Sequence, residues 1–399
     1  MTKKEIKLVE FINLRYADPI SSIDLTDNYL LFGSMLGSIT FYIIDKKKLF
    51  HLSDKEDEYI SGVKIKENTL YICIGDLKIV TYELNQENEI QQQNSIDNYR
   101  NDEEHSKNCE NCLTMQNNDY LIRTFIDFPE EPNKDPLIKL VNYSIKNIFD
   151  KNETYKGKIR MSNYTVPFDF DGTNYIYIDF LKQNKRKLGI HDVKKEEGKE
   201  IGEENKENEE ENKENEDEKN ENEEEQKDND DKDGFIIEEI KDRIGHISHL
   251  KIIKNDKIFI IRDYNICEIR SFNFELIKRL NIKSNEILNF DIMFYTIGEN
   301  INENKSESQN IKENNNDNQG DEPFYLILLD LDCNIILYNS KEDKSEILFN
   351  LETDNLNIDK DIKEQRFFSF GYPYYIRMTK KYIAISSDYG CILVQYSLS

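Results

Sequence analysis

The chain contains no tryptophan, only five histidines and seven prolines in 399 residues, and no apolar run near the roughly 18 residues that a membrane helix needs. Each shortage removes a class of function. The opening MTKKEIKLVEFINLR lacks the apolar stretch of roughly 7 to 15 residues that a secretory leader carries. The expected protein is therefore soluble and cytoplasmic, with nuclear or cytoskeletal association as alternatives. His51, His105, His191, His246 and His249 are scattered, and none lies in a hydrolase elbow, a phosphate-binding glycine loop or a zincin helix. That pattern favours a noncatalytic protein without a cofactor. His246 and His249 are three apart, but IGHISHLKII reads as turn and strand, so they do not share a face as they would on a helix.

Cysteine is equally uninformative as chemistry. Cys73, Cys267, Cys333 and Cys391 lie in or beside apolar strands at irregular spacing, as expected of free thiols packed like small hydrophobes. No disulfide framework is suggested. His105, Cys109 and Cys112 form H-x3-C-x2-C in a polar stretch and supply three of the four ligands of a tetrahedral zinc site. The fourth has no candidate, and Cys112 leads into the apolar run Leu113 to Met115, so no metal is expected beyond this weak trio.

Basic clusters are also lacking. The net charge is −26, and residues 194–233 alone hold 21 Asp and Glu against 8 Lys. Nucleic-acid backbones and anionic lipid both require clustered Lys and Arg, so neither is an expected partner. The composition of 194–233, and of the Asn-rich stretch 298–322, cannot bury enough apolar surface to offset the entropy of ordering. Both read as disordered polar insertions. The acidic one is suited to meeting a basic protein segment.

What the chain does have is one unit rewritten many times. Tyr29 to Asp45, YLLFGSMLGSITFYIID, is an apolar strand, a turn carrying Gly37 and a second strand rich in β-branched and aromatic residues. Relatives begin at Thr69, Lys257, Phe324 and Tyr382. Four to six consecutive apolar residues imply strands covered on both faces, so sheets stack on sheets. From Gly37 to Asp76 the period is close to the ~40 to 45 residues of a four-stranded propeller blade.

Seven such sets can be drawn, from Ile20 to Ser53, from Tyr59 into the polar run 85–108, from Cys112 to 145, from Tyr164 across 194–233 to GFIIEEI, from His249 to Ile282, from Glu286 to Leu351, and from Tyr372 to the end. Pro129, Pro132 and Pro136 fall between strands, where no ladder donor is needed. The last set is one strand short, and residues 5–14 form a strand without a neighbour. Pairing the two would close a ring and remove its open edges. The expected fold is all-β, a seven-bladed β-propeller occupying residues 1–399 as a single domain.

Gly245-His246 before a strand, Gly37-Ser38-Ile39 and Gly390-Cys391-Ile392 at turns, and Tyr42 near a position usually held by tryptophan carry a resemblance. The chain is similar to the WD40-repeat propeller family, in a degenerate form with no Trp-Asp dipeptide. That resemblance implies an interaction scaffold, a subunit of a larger intracellular complex, with other proteins as partners. Two alternatives come from other classes. One is an acidic chaperone or adaptor for basic proteins such as histones. The other is an enzyme whose site lies in the central funnel, which requires titratable side chains converging from several blades. In such a ring both insertions leave from one face, and a structured partner is expected on the other, near Gly37, Pro129 to Pro136 and Gly390.

Overall fold

Among the described residues, short apolar runs punctuated by Asp, Asn, Lys and Gly turns build strands and tight connections. The computed structural model describes residues 6–13, 18–53, 59–75, 78–85, 90–98, 109–117, 120–127, 139–147, 149, 154–161, 168–171, 173–181, 185–192, 234–238, 247–253, 256–295, 322–353, 373–388 and 390–397. Among them no helix is long and apolar enough to cross a membrane.

In chain order the strands are β1 (Ile6–Asn13), β2 (Ile20–Leu25), β3 (Tyr29–Ser34), β4 (Ile39–Ile43), β5 (Lys48–Ser53), β6 (Ile60–Lys66), β7 (Thr69–Ile74), β8 (Lys78–Leu84) and β9 (Ile90–Asn98). They continue with β10 (Cys109–Asn117), β11 (Tyr120–Asp127), β12 (Lys139–Asn147), β13 (Thr154–Met161), β14 (Phe168–Phe170), β15 (Asn174–Leu181), β16 (Lys185–Asp192) and β17 (Gly234–Glu238). The remainder are β18 (Ile247–Ile253), β19 (Lys257–Arg262), β20 (Ile266–Ser271), β21 (Leu276–Arg279), β22 (Ile287–Phe294), β23 (Phe324–Asp330), β24 (Asn334–Asn339), β25 (Lys344–Asn350), β26 (Pro373–Met378), β27 (Tyr382–Ser387) and β28 (Gly390–Tyr396).

Among the described residues these strands form seven antiparallel four-stranded sheets, six of them built from consecutive strands. The seventh runs β1-β28-β27-β26, with Ile6 opposite Tyr396 and Asn13 opposite Gly390. The orphan N-terminal strand is thus the outer strand of the last sheet. The acidic stretch lies between β16 and β17, which pair directly with Leu188 opposite Phe235. The Asn-rich stretch lies between β22 and β23.

The chain divides into two compact units. One comprises Met1–Asn98, Tyr264–Ile266 and Leu280–Ser399; the other comprises Tyr99–Asp263 and Cys267–Arg279. In the first unit, β3 shows why four consecutive apolar residues are needed. Leu30 and Phe32 pack with Ile12, Ile23, Ala384 and Leu393 on one side, while Leu31 packs with Phe41, Val63 and Ile72 on the other. A third layer joins Ile327 and Leu329 to Ile376, Ile385 and Val394. Close stacking requires Gly33, because a Cβ there would lie 2.2 Å from Ile60 Cγ2. In the second unit Ile176 packs with Ile247, Leu250, Ile258, Ile260 and Phe274.

Three details correct the expectations from sequence. The fourth strand of the second set, expected over Glu89 to Gln93, is there but runs on through the polar residues to Asn98 as β9, since an outermost strand needs only the ladder offered by β8. β13, TYKGKIRM, is a fourth strand of its sheet where none was expected, although Tyr155, Ile159 and Met161 alternate with Lys156, Lys158 and Arg160 at the period of a strand. Cys109 opens β10 and is strand, not polar loop, with its register irregular between Glu110 and Leu113. Pro129, Pro132 and Pro136 lie outside the described residues.

Candidate functional site

The first strand of each sheet has one neighbour by ladder pairing, so its other edge presents backbone N–H groups that need acceptors. In the first unit, Ser22 and Asp24 stand two apart on β2 and therefore share a face. Ser22 Oγ accepts from the Val63 N–H of β6 at 3.0 Å, and Asp24 Oδ2 accepts from the Ile65 N–H at 2.7 Å. The device recurs between β22 and β26, where Asn289 Oδ1 accepts from the Ile376 N–H at 3.3 Å and Asp291 Oδ2 from the Met378 N–H at 2.9 Å. In the second unit Asp169 of β14 accepts from the Ile252 N–H of β18. In both double cases acceptors and donors ascend together, so the bolted first strands run parallel.

These strands carry Asp24, Lys64, Asp291 and Arg377 on the first-strand edges of four sheets of the first unit. Lys64 Nζ stands 3.6 Å from Asp24 Oδ1. Burial pushes the Asp24 carboxyl above its ordinary range, against the charges of Lys64 and Arg377 and the Ile65 N–H. Burial likewise pushes Asp169 up to about 7, against Lys251 and the Ile252 and Phe170 N–H groups. Such convergence is what funnel chemistry requires, yet Asp24, Asp291 and Asp169 already accept from backbone. Among the described residues no group of three or more His, Cys, Asp or Glu is arranged to hold a metal. The sequence signal was a polar residue spaced two from an aspartate inside an apolar strand, Ser22-Ile23-Asp24 and Asn289-Phe290-Asp291, and it went unread.

A second buried aspartate organises a turn. Asp18, fully buried, accepts from Ser34 Oγ at 2.6 Å, Ser38 Oγ at 2.7 Å and the Leu36 N–H at 3.0 Å. The β3–β4 turn is thereby fixed, with Gly37 at φ 87°, a conformation in which a side chain is strained. Gly390 opens β28, opposite Asn13 of β1. Tyr42, buried in β4, donates from its hydroxyl to Glu10 Oε2 of β1 at 3.3 Å, tying two sheets together. Gly245, His246 and His105 lie outside the described residues, and Cys109 and Cys112 are both in β10. His249 meets the Ser248 hydroxyl at 3.0 Å, and His51 lies 3.4 Å from Thr40 Oγ1.

A further polar cluster is in the second unit. Glu268, with no exposed surface, accepts from Arg262 Nε at 3.1 Å, Arg270 Nη2 at 2.7 Å and Arg279 Nη2 at 2.9 Å. Burial pushes its carboxyl up, but the hydrogen bonds and charges of Arg270 and Arg262 together hold it below its ordinary range. Such a fully donated carboxylate knits β19, β20 and β21 and has no lone pair left for chemistry. Two buried thiols are equally quiescent. Burial pushes Cys73 and Cys267 up to about 12, leaving them protonated at neutral pH.

No family model matches the sequence, and no curated protein matches it. By structure the chain is similar to the computationally designed Ika8 protein, with a TM-score of 0.49 and 8% identity over 98% of this chain and 99% of that one. It is also similar to virginiamycin B lyase from Staphylococcus aureus, with a TM-score of 0.43 and 8% identity over 99% of this chain and 100% of that one.

Proposed function

We propose that the chain is a noncatalytic scaffold for protein–protein interaction, a WD40-like seven-bladed propeller closed by β1, working as a subunit of a larger complex in the cytoplasm. One observation carries the reading. Five polar first-strand side chains, where a funnel enzyme would hold its reactive groups, are spent on the backbone of the neighbouring sheet: Ser22, Asp24, Asn289, Asp291 and Asp169. A frame bolted in this way holds its turns at fixed spacing, which is what a composite binding surface needs. Its partners are other proteins, basic ones in particular, rather than nucleic acid or membrane. Purification of the tagged full chain from native cells, followed by size exclusion, should give stoichiometric partners in a complex far above 47.4 kDa. Elution only as the monomer overturns the reading.

The acidic stretch favours a second reading, a chaperone or adaptor for basic proteins such as histones, because residues 194–233 carry 21 Asp and Glu against 8 Lys. Deleting 194–233 should then abolish binding of the basic partner at physiological salt. Unchanged binding removes this second reading and leaves the scaffold in place.

A further inference from the structure

The parallel first strands of the first unit decide where its turns go. With β2 running parallel to β6 and β22 to β26, and sheets antiparallel throughout, turns between second and third strands gather at the ends where first strands begin. The β3–β4 and β23–β24 turns are built alike. Met35 N–H bonds Pro19 O at 2.8 Å and Leu331 N–H bonds Glu286 O at 2.7 Å, each turn residue reaching the residue just before its own first strand. Gly37 N–H then bonds Ser34 O, and Cys333 N–H bonds Asp330 O, closing the same turn. Equivalent positions thus hold Met35 and Leu331, which are 51% and 40% exposed, and Leu36 beside them is 57% exposed. Tyr264, whose carbonyl accepts from the Ile287 N–H that begins β22, adds a ring 43% exposed.

Large apolar side chains held out on turns, where Asn, Gly and Ser would serve the backbone better, are what an interaction surface looks like. The charges beside them indicate what covers it. Asp332 is in the β23–β24 turn, Asp388 in the β27–β28 turn, and Glu352 follows β25, where Leu351 N–H bonds Cys333 O. Among the described residues of the turns between second and third strands in this unit there is no lysine or arginine. At the opposite end the turns carry Lys46, Lys47, Lys341, Lys380 and Lys381 interleaved with Asp27, Asp45, Glu342 and Asp343. The loop before β22 adds Glu286 and Lys283 here, so among the described residues this end is apolar with acidic groups in excess of a single lysine, while the other end is mixed.

We infer that the end of the first unit bearing Met35, Leu36, Tyr264 and Leu331 docks an amphipathic protein segment whose apolar residues are flanked by Lys and Arg. The inference rests on the scaffold reading and names the partner class and the surface. Apolar contact with Met35, Leu36 and Leu331 supplies affinity, and Asp332, Asp388 and Glu352 select the sign of the flanking charge.

The test uses the full chain and a labelled synthetic peptide of alternating Leu and Lys blocks, with a Leu and Glu peptide as control, read by fluorescence anisotropy at physiological salt. The Leu/Lys peptide should bind and the Leu/Glu peptide should not. The Met35→Ser/Leu36→Ser/Leu331→Ser variant should weaken binding at least tenfold with an unchanged melting curve, because those side chains are exposed. A Lys341→Glu/Lys381→Glu variant at the other end should bind as the parent does. Capture by the acidic stretch would be blind to losing three uncharged side chains, so unchanged affinity in the triple variant overturns the inference. No binding of the Leu/Lys peptide, or its loss only in the lysine variant, overturns it as well. A native complex that survives alongside an unaffected triple variant leaves the scaffold standing without this surface; peptide binding that depends on the three residues in a chain that is monomeric in cells does the reverse.

Discussion

At the scale of the residue, the most consequential side chains are buried carboxylates that accept from backbone. Asp169 is the clearest case. Its carboxyl is pushed up to about 7 by burial from an ordinary 3.8. The native state therefore holds this proton more tightly than the unfolded chain does. Its contribution to stability is complete below pH 3.8 and is lost as pH rises through about 7, on the order of 3 to 4 kcal/mol across that window. Asp169→Asn keeps an oxygen for the Ile252 N–H and removes the titration. Urea midpoints measured from pH 5 to pH 8.5 should fall for the parent and stay nearly level for the variant; parallel curves would contradict the assignment. Gly33 is a second residue with a sharp expectation. A Cβ placed 2.2 Å from Ile60 Cγ2 and 2.6 Å from its Cβ forces two sheets apart. Gly33→Ala should cost about 1 to 3 kcal/mol in denaturant unfolding, and combining it with Ile60→Val should recover little, since the Ile60 Cβ remains.

At the scale of the element, β1 illustrates how a strand far away in sequence completes a sheet. Its ladder runs from Ile6 opposite Tyr396 to Asn13 opposite Gly390. Ile6, Leu8 and Phe11 cover the layer built on Ile385 and Val394, while Val9 and Ile12 cover the layer built on Leu30 and Leu393. Fully burying each such side chain stabilises by about 1.5 to 3 kcal/mol, so a chain starting after Leu14 loses several kcal/mol and leaves β28 with an open edge. That truncation should melt at least 10 °C lower, a roughly estimated shift, and aggregate on size exclusion; a monomeric truncation with the parent melting point would contradict the pairing. The strand was legible in sequence because EIKLVEFINL carries Ile, Leu, Val and Phe at strand spacing and the last set of strands is one short. β13 was not, since an outermost strand carries charge as readily as a loop does.

At the scale of the whole molecule, the two polar insertions interrupt sheets without interrupting ladders. β16 and β17 pair from Lys185 opposite Glu238 to Gly189 opposite Gly234, on either side of residues 194–233. A protease site placed within 194–233 and cut in the folded protein should leave the two fragments co-eluting, with a melting point within about 2 °C of the uncut chain. Separation of the fragments would show that the covalent connection, rather than the ladder, holds this sheet together. Sequence alone determined the all-β architecture of the described residues, nearly all of their strands, their grouping in fours, the place of both insertions and the pairing of the first strand with the last, because period-two patterning, turn residues and buried runs are local signals. Tertiary structure decided which aspartates are buried acceptors, that three guanidiniums converge on Glu268, and which turn residues stand exposed. Asp169 meets Ile252 across 83 residues and Asp291 meets Met378 across 87, and although a pattern such as Asn289-Phe290-Asp291 marks the aspartate, it does not name the partner, because an aspartate in a strand reads the same whether water or a neighbouring sheet completes its hydrogen bonds.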